Sequence, residues 1–162
     1  MSESNQAPAR EFNLLRIYTK DVSFEAPGAP AVFTEQWDPN FNLNLNSEVT
    51  NLENDRYEVV LTGTVTCKAG DKTAYLVEVK QAGVFAMRGF PKEEMGPMLG
   101  AYCPNILFPF LREVVADLVN KGSFPQLLLT PVNFEALYAQ HLHNQRMQQQ
   151  AAQEKTADAT TH

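Results

Sequence analysis

Histidine is scarce and badly placed for chemistry: there are three in 162 residues, at positions 141, 143 and 162. All three lie at or beyond the end of the last predicted helix, so the body before it offers no imidazole for a general base, a catalytic triad or a metal site. His141 and His143 would need further ligands that their neighbourhood lacks, so they read as solvated tail residues. Cysteine is also sparse. Cys67 and Cys103 stand in no spacing that suggests a disulfide framework or a zinc site, and both are expected to be reduced. No G-x-x-x-x-G-K-[ST] or G-x-G-x-x-G occurs, which leaves nucleotide binding without support. Long apolar runs of the roughly 20 residues needed for a membrane span are absent, and MSESNQAPAR is polar where a signal peptide would be apolar. The expected location is the cytoplasm. Thirteen Lys and Arg against 19 Asp and Glu give a formal charge of −6 with no basic cluster. That balance disfavours nucleic acid and suits a basic partner. No cofactor is implied, and no internal repeat is visible.

Against these absences stands one dominant segment, LGAYCPNILFPFLREVVADLVNK, residues 99–121. Leu107, Phe108, Phe110, Leu111, Val114, Val115, Leu118 and Val119 recur at the spacing of one broad helical face, with Arg112, Glu113, Asp117 and Asn120 opposite. The spacing predicts a helix entered through Cys103 and Pro104 with Asn105 as N-cap, because a start near Pro91 would leave Pro104 and Pro109 to kink it. Lys121 followed by Gly122 predicts a stop with the glycine in a left-handed conformation. So wide a face must be buried against the preceding strands or against the same helix of another copy.

The ordered chain is expected over residues 12–142, between a disordered lead at 1–11 and a disordered Gln-rich tail at 143–162. In the first strand Tyr18, Val22 and Phe24 fall on one side and Thr19, Asp21, Ser23 and Glu25 on the other. Residues 26–40 break all periodicity with Pro27, Pro30 and Pro39, and predict an ordered crossover carrying Phe33 and Trp37. Phe41, Leu43 and Leu45 then alternate with Asn42, Asn44 and Asn46 in a second strand. YEVVLTGTVTCK and TAYLVEVKQA, joined by Ala69-Gly70-Asp71-Lys72, give the clearest hairpin signal, with Leu76 and Glu78 opposite Tyr75, Val77 and Val79. VFAMR reads as an extension of that strand or a bulged end. Residues 92–100 predict a weak helix interrupted by Gly96 and Pro97, and residues 123–132 an extended loop against the core. Asn133 caps a short helix with Phe134, Leu137, Tyr138 and Leu142 on one face. The pattern is α+β: four strands, one dominant helix and one short helix.

Three features invite a chemical reading. Cys103, just before a helix start, could have its pKa lowered by the helix dipole, although without a nearby base a packed thiol is the simpler reading. Asp21, Glu25 and Glu78 could imitate a catalytic acid pair, or form a solvated acidic patch or a docking surface for a basic partner. Phe33, Trp37, Phe134, Leu137 and Tyr138 could line a groove or serve as buried anchors.

IYTKDVSFEAPGAPAVF from residue 17, the segment 99–119 and GSFPQLLLTPVNFEALY from residue 122 closely resemble the SecB family of bacterial protein-export chaperones. The hairpin strand YEVVLTGTV is also similar, so the likeness spans residues 12–142. The resemblance implies a four-stranded antiparallel sheet with the long helix and the short C-terminal helix packed on one side, assembled as a homotetramer, a dimer of dimers. It implies an ATP-independent holdase, not an enzyme, that binds unfolded precursor proteins in long grooves bordered by the crossover and the last helix. The matching segments here contain Phe33, Trp37, Phe134, Leu137 and Tyr138. It also implies delivery to the export motor SecA, whose basic, zinc-bearing C-terminal segment docks on an acidic sheet face. The corresponding positions are Asp21, Glu25, Leu76 and Glu78, the set that strand alternation places outward. Val77, Val79 and Gln81 match positions tied to assembly and cargo handling. The Gln-rich tail departs from the family pattern. The rivals are a SecB-like chaperone dedicated to one client such as an antitoxin, a purely structural oligomer, and an acid/base enzyme, which requires a concave pocket around Asp21 and Glu25.

Overall fold

Alternating β-branched and aromatic residues build four long strands, β1 (Glu11–Glu25), β2 (Pro39–Asn51), β3 (Arg56–Ala69) and β4 (Lys72–Arg88). They belong to a computed structural model that describes residues 6–159. The sheet is antiparallel throughout, in the order β1-β4-β3-β2, which leaves β1 and β2 as its edges. The β3–β4 hairpin turns at the predicted residues, with Gly70 at φ 61°. Asn54 and Asp55 turn β2 into β3 at φ 60° and 56°, a conformation these short polar side chains tolerate. VFAMR continues β4.

One face of the sheet is apolar and covered. Val59, Leu61, Val65, Val77, Val79 and Phe85 are buried in a single core with Cys103, Leu107, Leu111, Val115 and Val119 of helix α2 (Cys103–Lys121). The helix starts earlier than the sequence predicts. Helix α1 (Lys92–Pro97) follows Pro91 and passes through a π turn (Met98–Tyr102) into α2, giving 30 continuous helical residues. Pro104 has no amide to return to the preceding turn, and the Cys103 N–H bonds back to the Met98 carbonyl, five residues earlier. This widened turn absorbs the register change that would otherwise appear as a kink, and Asn105 lies inside the helix instead of capping it. At the other end Gly122 has φ −76°, while Ser123 takes the left-handed conformation at φ 64°. Gly122 is needed for space: a Cβ there would lie 2.3 Å from Cζ of Phe24.

Asn133 caps helix α3 (Phe134–Ala159), its Oδ1 accepting the Ala136 amide at 3.0 Å. The helix runs well past Leu142 and contains His141 and His143, whereas His162 lies outside the described residues. The sequence beyond Leu142 is too polar for a core, yet its Gln, Ala, Met, Glu and Lys residues are good helix formers that propagate an already nucleated helix. Of the expected lead, residues 1–5 lie outside the described chain. Arg10 is held by both oxygens of Glu94 at 2.7 and 3.0 Å and lies over the Phe90 ring.

Candidate functional site: an apolar groove and an acidic sheet face

Cross-strand register places Phe41, Leu43, Leu45, Ser47 and Val49 of β2 beside Cys67, Val65, Gly63, Leu61 and Val59 on the helix side of the sheet. Helix α2 packs over β4 and β3, while β2 meets the π turn against which α3 packs. The result is a trough of about 390 Å³ floored by Leu45, Ser47, Val49 and Leu61. Its walls are Gly96, Leu99 and Gly100 on one side and Phe134, Leu137, Tyr138 and His141 on the other. Tyr138 seats deeply because two side chains are missing: a Cβ on Gly96 would lie 2.4 Å from its hydroxyl, and one on Gly100 2.5 Å from its ring.

Phe33 and Trp37 do not enter this trough. Their rings pack on Phe124 at 5.2 and 5.8 Å, where Tyr75 and Phe24 complete an aromatic cluster at 4.7 and 6.4 Å. Tyr75 shares a cross-sheet row with Cys67 and Phe41, so the cluster stands at the Phe41 end of the β2 row and the α3 trough toward the Val49 end. The row between them spans about 27 Å at about 3.4 Å per residue. Of the five candidate groove residues, three line the trough and two build a second apolar patch in line with it. Sequence reasoning did not single out Phe124, Leu45, Val49 or the glycine pair for the groove. The alternation of β2 contained the signal for Leu45, and Gly96 read only as an interruption.

Among the described residues the opposite face of the sheet carries no helix, and its rows nearest the β3–β4 turn are mostly polar, whereas Ala82 and Val60 align further along it. Glu25 pairs with Leu76, Ser23 with Glu78, and Asp21 with Lys80, so Asp21, Glu25, Leu76 and Glu78 stand side by side. Asp21 and Glu25 are exposed on the strand surface, and neither lines the trough. Glu78 accepts a hydrogen bond from Thr64 at 3.4 Å. A bulge between Thr19 and Asp21 reverses the alternation, so Tyr18 lies on this outer face and not with Val22 and Phe24. Its hydroxyl donates to Glu58, which also accepts from Lys20 at 2.8 Å. Burial, reinforced by Glu58, pushes the Tyr18 phenol up to about 12, and the Lys20 and Tyr18 hydrogen bonds hold Glu58 below the usual carboxylate range.

Val77, Val79 and Gln81 face the other way and are buried within their own chain. Gln81 accepts a hydrogen bond from Thr19 at 3.1 Å. Cys103 is fully enclosed, and burial pushes its thiol up to about 12, opposite to the effect of a helix dipole. Among the described residues no group of three or more His, Cys, Asp or Glu could hold a metal ion, and no helix is long and apolar enough to cross a membrane.

The chain is thus an α+β protein with an open apolar trough along one edge strand of its antiparallel sheet and a carboxylate-bearing face behind it. The family model described as "Preprotein translocase subunit SecB" matches residues 4–145. The chain belongs to the SecB family of protein-export chaperones. It is 55% identical to the protein-export protein SecB of Methylococcus capsulatus, with all of both chains aligned. Identity to the Marinobacter nauticus protein of the same name is 51% over 99% of each chain. The Thioalkalivibrio sulfidiphilus protein is 59% identical, over 86% of this chain and 83% of that one. In fold, the chain is similar to a SecB-like chaperone of Mycobacterium tuberculosis solved with a peptide from an antitoxin, at a TM-score of 0.64 and 16% identity, covering 75% of this chain and 90% of the other. The chain is thus a protein-export chaperone, and a dedicated antitoxin chaperone is not the favoured reading.

Proposed function

We propose that this chain is an ATP-independent cytoplasmic holdase, working as a homotetramer, that holds unfolded precursor proteins in the groove and passes them to SecA through its acidic face. The supporting observation is the division of the sheet into two sides. The trough and the Phe33–Trp37–Phe124 patch lie on the helix side, and Asp21, Glu25, Leu76 and Glu78 lie behind it. Cargo and motor can then be held at once without competing for the same atoms.

At about 25 cal/mol per Å² of apolar area, a groove this long offsets the ordering cost of a flexible chain even with imperfect packing. Folded proteins do not present such surface, so slow folders are the ones captured. A basic segment meeting the carboxylate face gains on-rate and register from complementary charge, and its affinity falls with salt. The reading calls for no cofactor and no nucleic acid. Val77, Val79 and Gln81 act in it from beneath α2, by setting the height of the helix that meets other copies.

The test is light scattering as a chemically unfolded protein is diluted into buffer containing this chain, without nucleotide, against an inert protein of equal mass. Suppressed scattering near one tetramer per client is the expected result. Leu137→Glu, which places a charge in the trough wall, should lose most of the suppression, while Glu25→Lys/Glu78→Lys should keep it and lose SecA binding. Unchanged scattering with the wild-type chain across several clients overturns the holdase reading.

A further inference from the structure

The carboxylate face does not end at β4. Register through the whole sheet aligns three complete rows on the outer side: Glu25, Leu76, Thr66, Asn42; Ser23, Glu78, Thr64, Asn44; and Asp21, Lys80, Thr62, Asn46. With about 4.8 Å between strands and about 6.8 Å between rows, the rows form a polar grid about 14 Å on a side. Three carboxylates and one ammonium occupy the β1 and β4 half, and hydroxyls and amides occupy the β3 and β2 half. The asparagines are exposed and the threonines half-buried. Among the described residues the side chains of Asn42, Asn44, Asn46, Thr62 and Thr66 make no hydrogen bond within the chain, and only Thr64 is engaged, with Glu78.

Strict alternation of asparagine along β2 is poorly explained by folding, because asparagine is disfavoured in strands and these side chains support nothing around them. Each amide offers two donor hydrogens and an acceptor, and each threonine hydroxyl offers both roles, so together they can satisfy a partner's backbone groups without removing a charge from water.

We propose that the Asn42–Asn44–Asn46 and Thr62–Thr66 ladders are the neutral half of the docking platform for the basic segment whose charges are met by Asp21, Glu25 and Glu78. This rests on the SecA-docking reading above. The carboxylates supply attraction and its salt dependence, and the ladders supply hydrogen bonds to the backbone of the same segment, which salt does not screen. The basic charge of the partner assigns it to this face, since no Asp or Glu is among the residues that line the trough.

The experiment measures SecA affinity by titration calorimetry over a series of salt concentrations for four proteins: wild type, Asn42→Ala/Asn44→Ala, Thr62→Val/Thr66→Val and Glu25→Gln/Glu78→Gln. Each ladder variant should bind about five- to tenfold more weakly with the salt slope of wild type. The carboxylate variant should bind more weakly with a flatter slope. Two independent ladder variants, with melting curves for each, separate a docking effect from a folding defect. Ladder variants within twofold of wild type beside a weakened carboxylate variant overturn the proposal and leave the docking reading standing. A ladder variant that alters the salt slope also overturns it. A carboxylate variant with wild-type affinity and slope removes the docking reading itself, and this proposal with it.

Discussion

Tyr18 shows how one inserted residue reassigns a side chain. The bulge between Thr19 and Asp21 turns the phenol onto the outer face, where it donates to Glu58 beside Lys20. Both shifts carry a sign for stability. Tyr18 is raised from 10 to about 12, so its contribution is complete below pH 10 and is lost as pH rises from there toward 12. Glu58 is lowered from 4.5, so its contribution is present above 4.5 and is lost as pH falls through its folded value. Spectrophotometric titration should find the Tyr18 phenol ionising well above an ordinary tyrosine, and Glu58→Gln should bring it part of the way back, because burial remains the larger cause. An unchanged Tyr18 titration in Glu58→Gln would mean that the pair is not formed. Period-two alternation predicted the outward set Asp21, Glu25, Leu76 and Glu78 but misplaced both Tyr18 and Thr19, the latter standing on the helix side beside Gln81, since a bulge leaves no mark in the hydrophobic pattern.

At the scale of elements, the strands and the body of α2 were legible because each buries one face and so carries a period. The π turn was not. It arises where Pro97 and Pro104 remove two amides within one helical run, and sequence reasoning treats such prolines as boundaries. The extent of α3 was equally hidden, because its second half buries nothing that would mark a period. Its start was legible in Asn133, and that cap matters for the groove: the first turn it secures carries Phe134 and Leu137 into the trough wall. Asn133→Ala should destabilise this turn by about 1 kcal/mol, seen as faster hydrogen exchange at residues 134–138 with the sheet amides unaffected, and client affinity should fall. Asn133→Asp, which also accepts the Ala136 amide, should restore both. Equal exchange in the Ala variant would show that tertiary packing and not the cap holds the turn.

For the whole molecule, a single chain leaves an apolar surface that it does not cover. The sequence predicted that the wide face of the 99–121 segment must meet the strands or another copy, and the structure buries part of it against the strands and leaves part exposed. Leu107, Leu111 and Val115 go into the core, while Tyr102 at 49% exposure and Phe110 at 46% stand outward on the same ridge as Ile106 and Val114. Val22, 46% exposed at the β1 edge, lies on the same side of the sheet. Such a strip invites the same strip of a second copy, an isologous contact that closes at two chains and leaves both carboxylate faces outward. Two such pairs would make the tetramer, with grooves available on each chain. Phe110→Glu would place a charge in the seam, where burial without a partner costs several kcal/mol, about a hundredfold or more in association. Sedimentation should then show smaller species at micromolar concentration, and the melting temperature should fall toward that of the dissociated chain, whereas Phe110→Leu should keep the wild-type mass. A Phe110→Glu protein of unchanged mass would place the seam elsewhere. The exposed ridge on α2 would then belong to the client surface, and aggregation suppression by that variant would fall even though its assembly was intact.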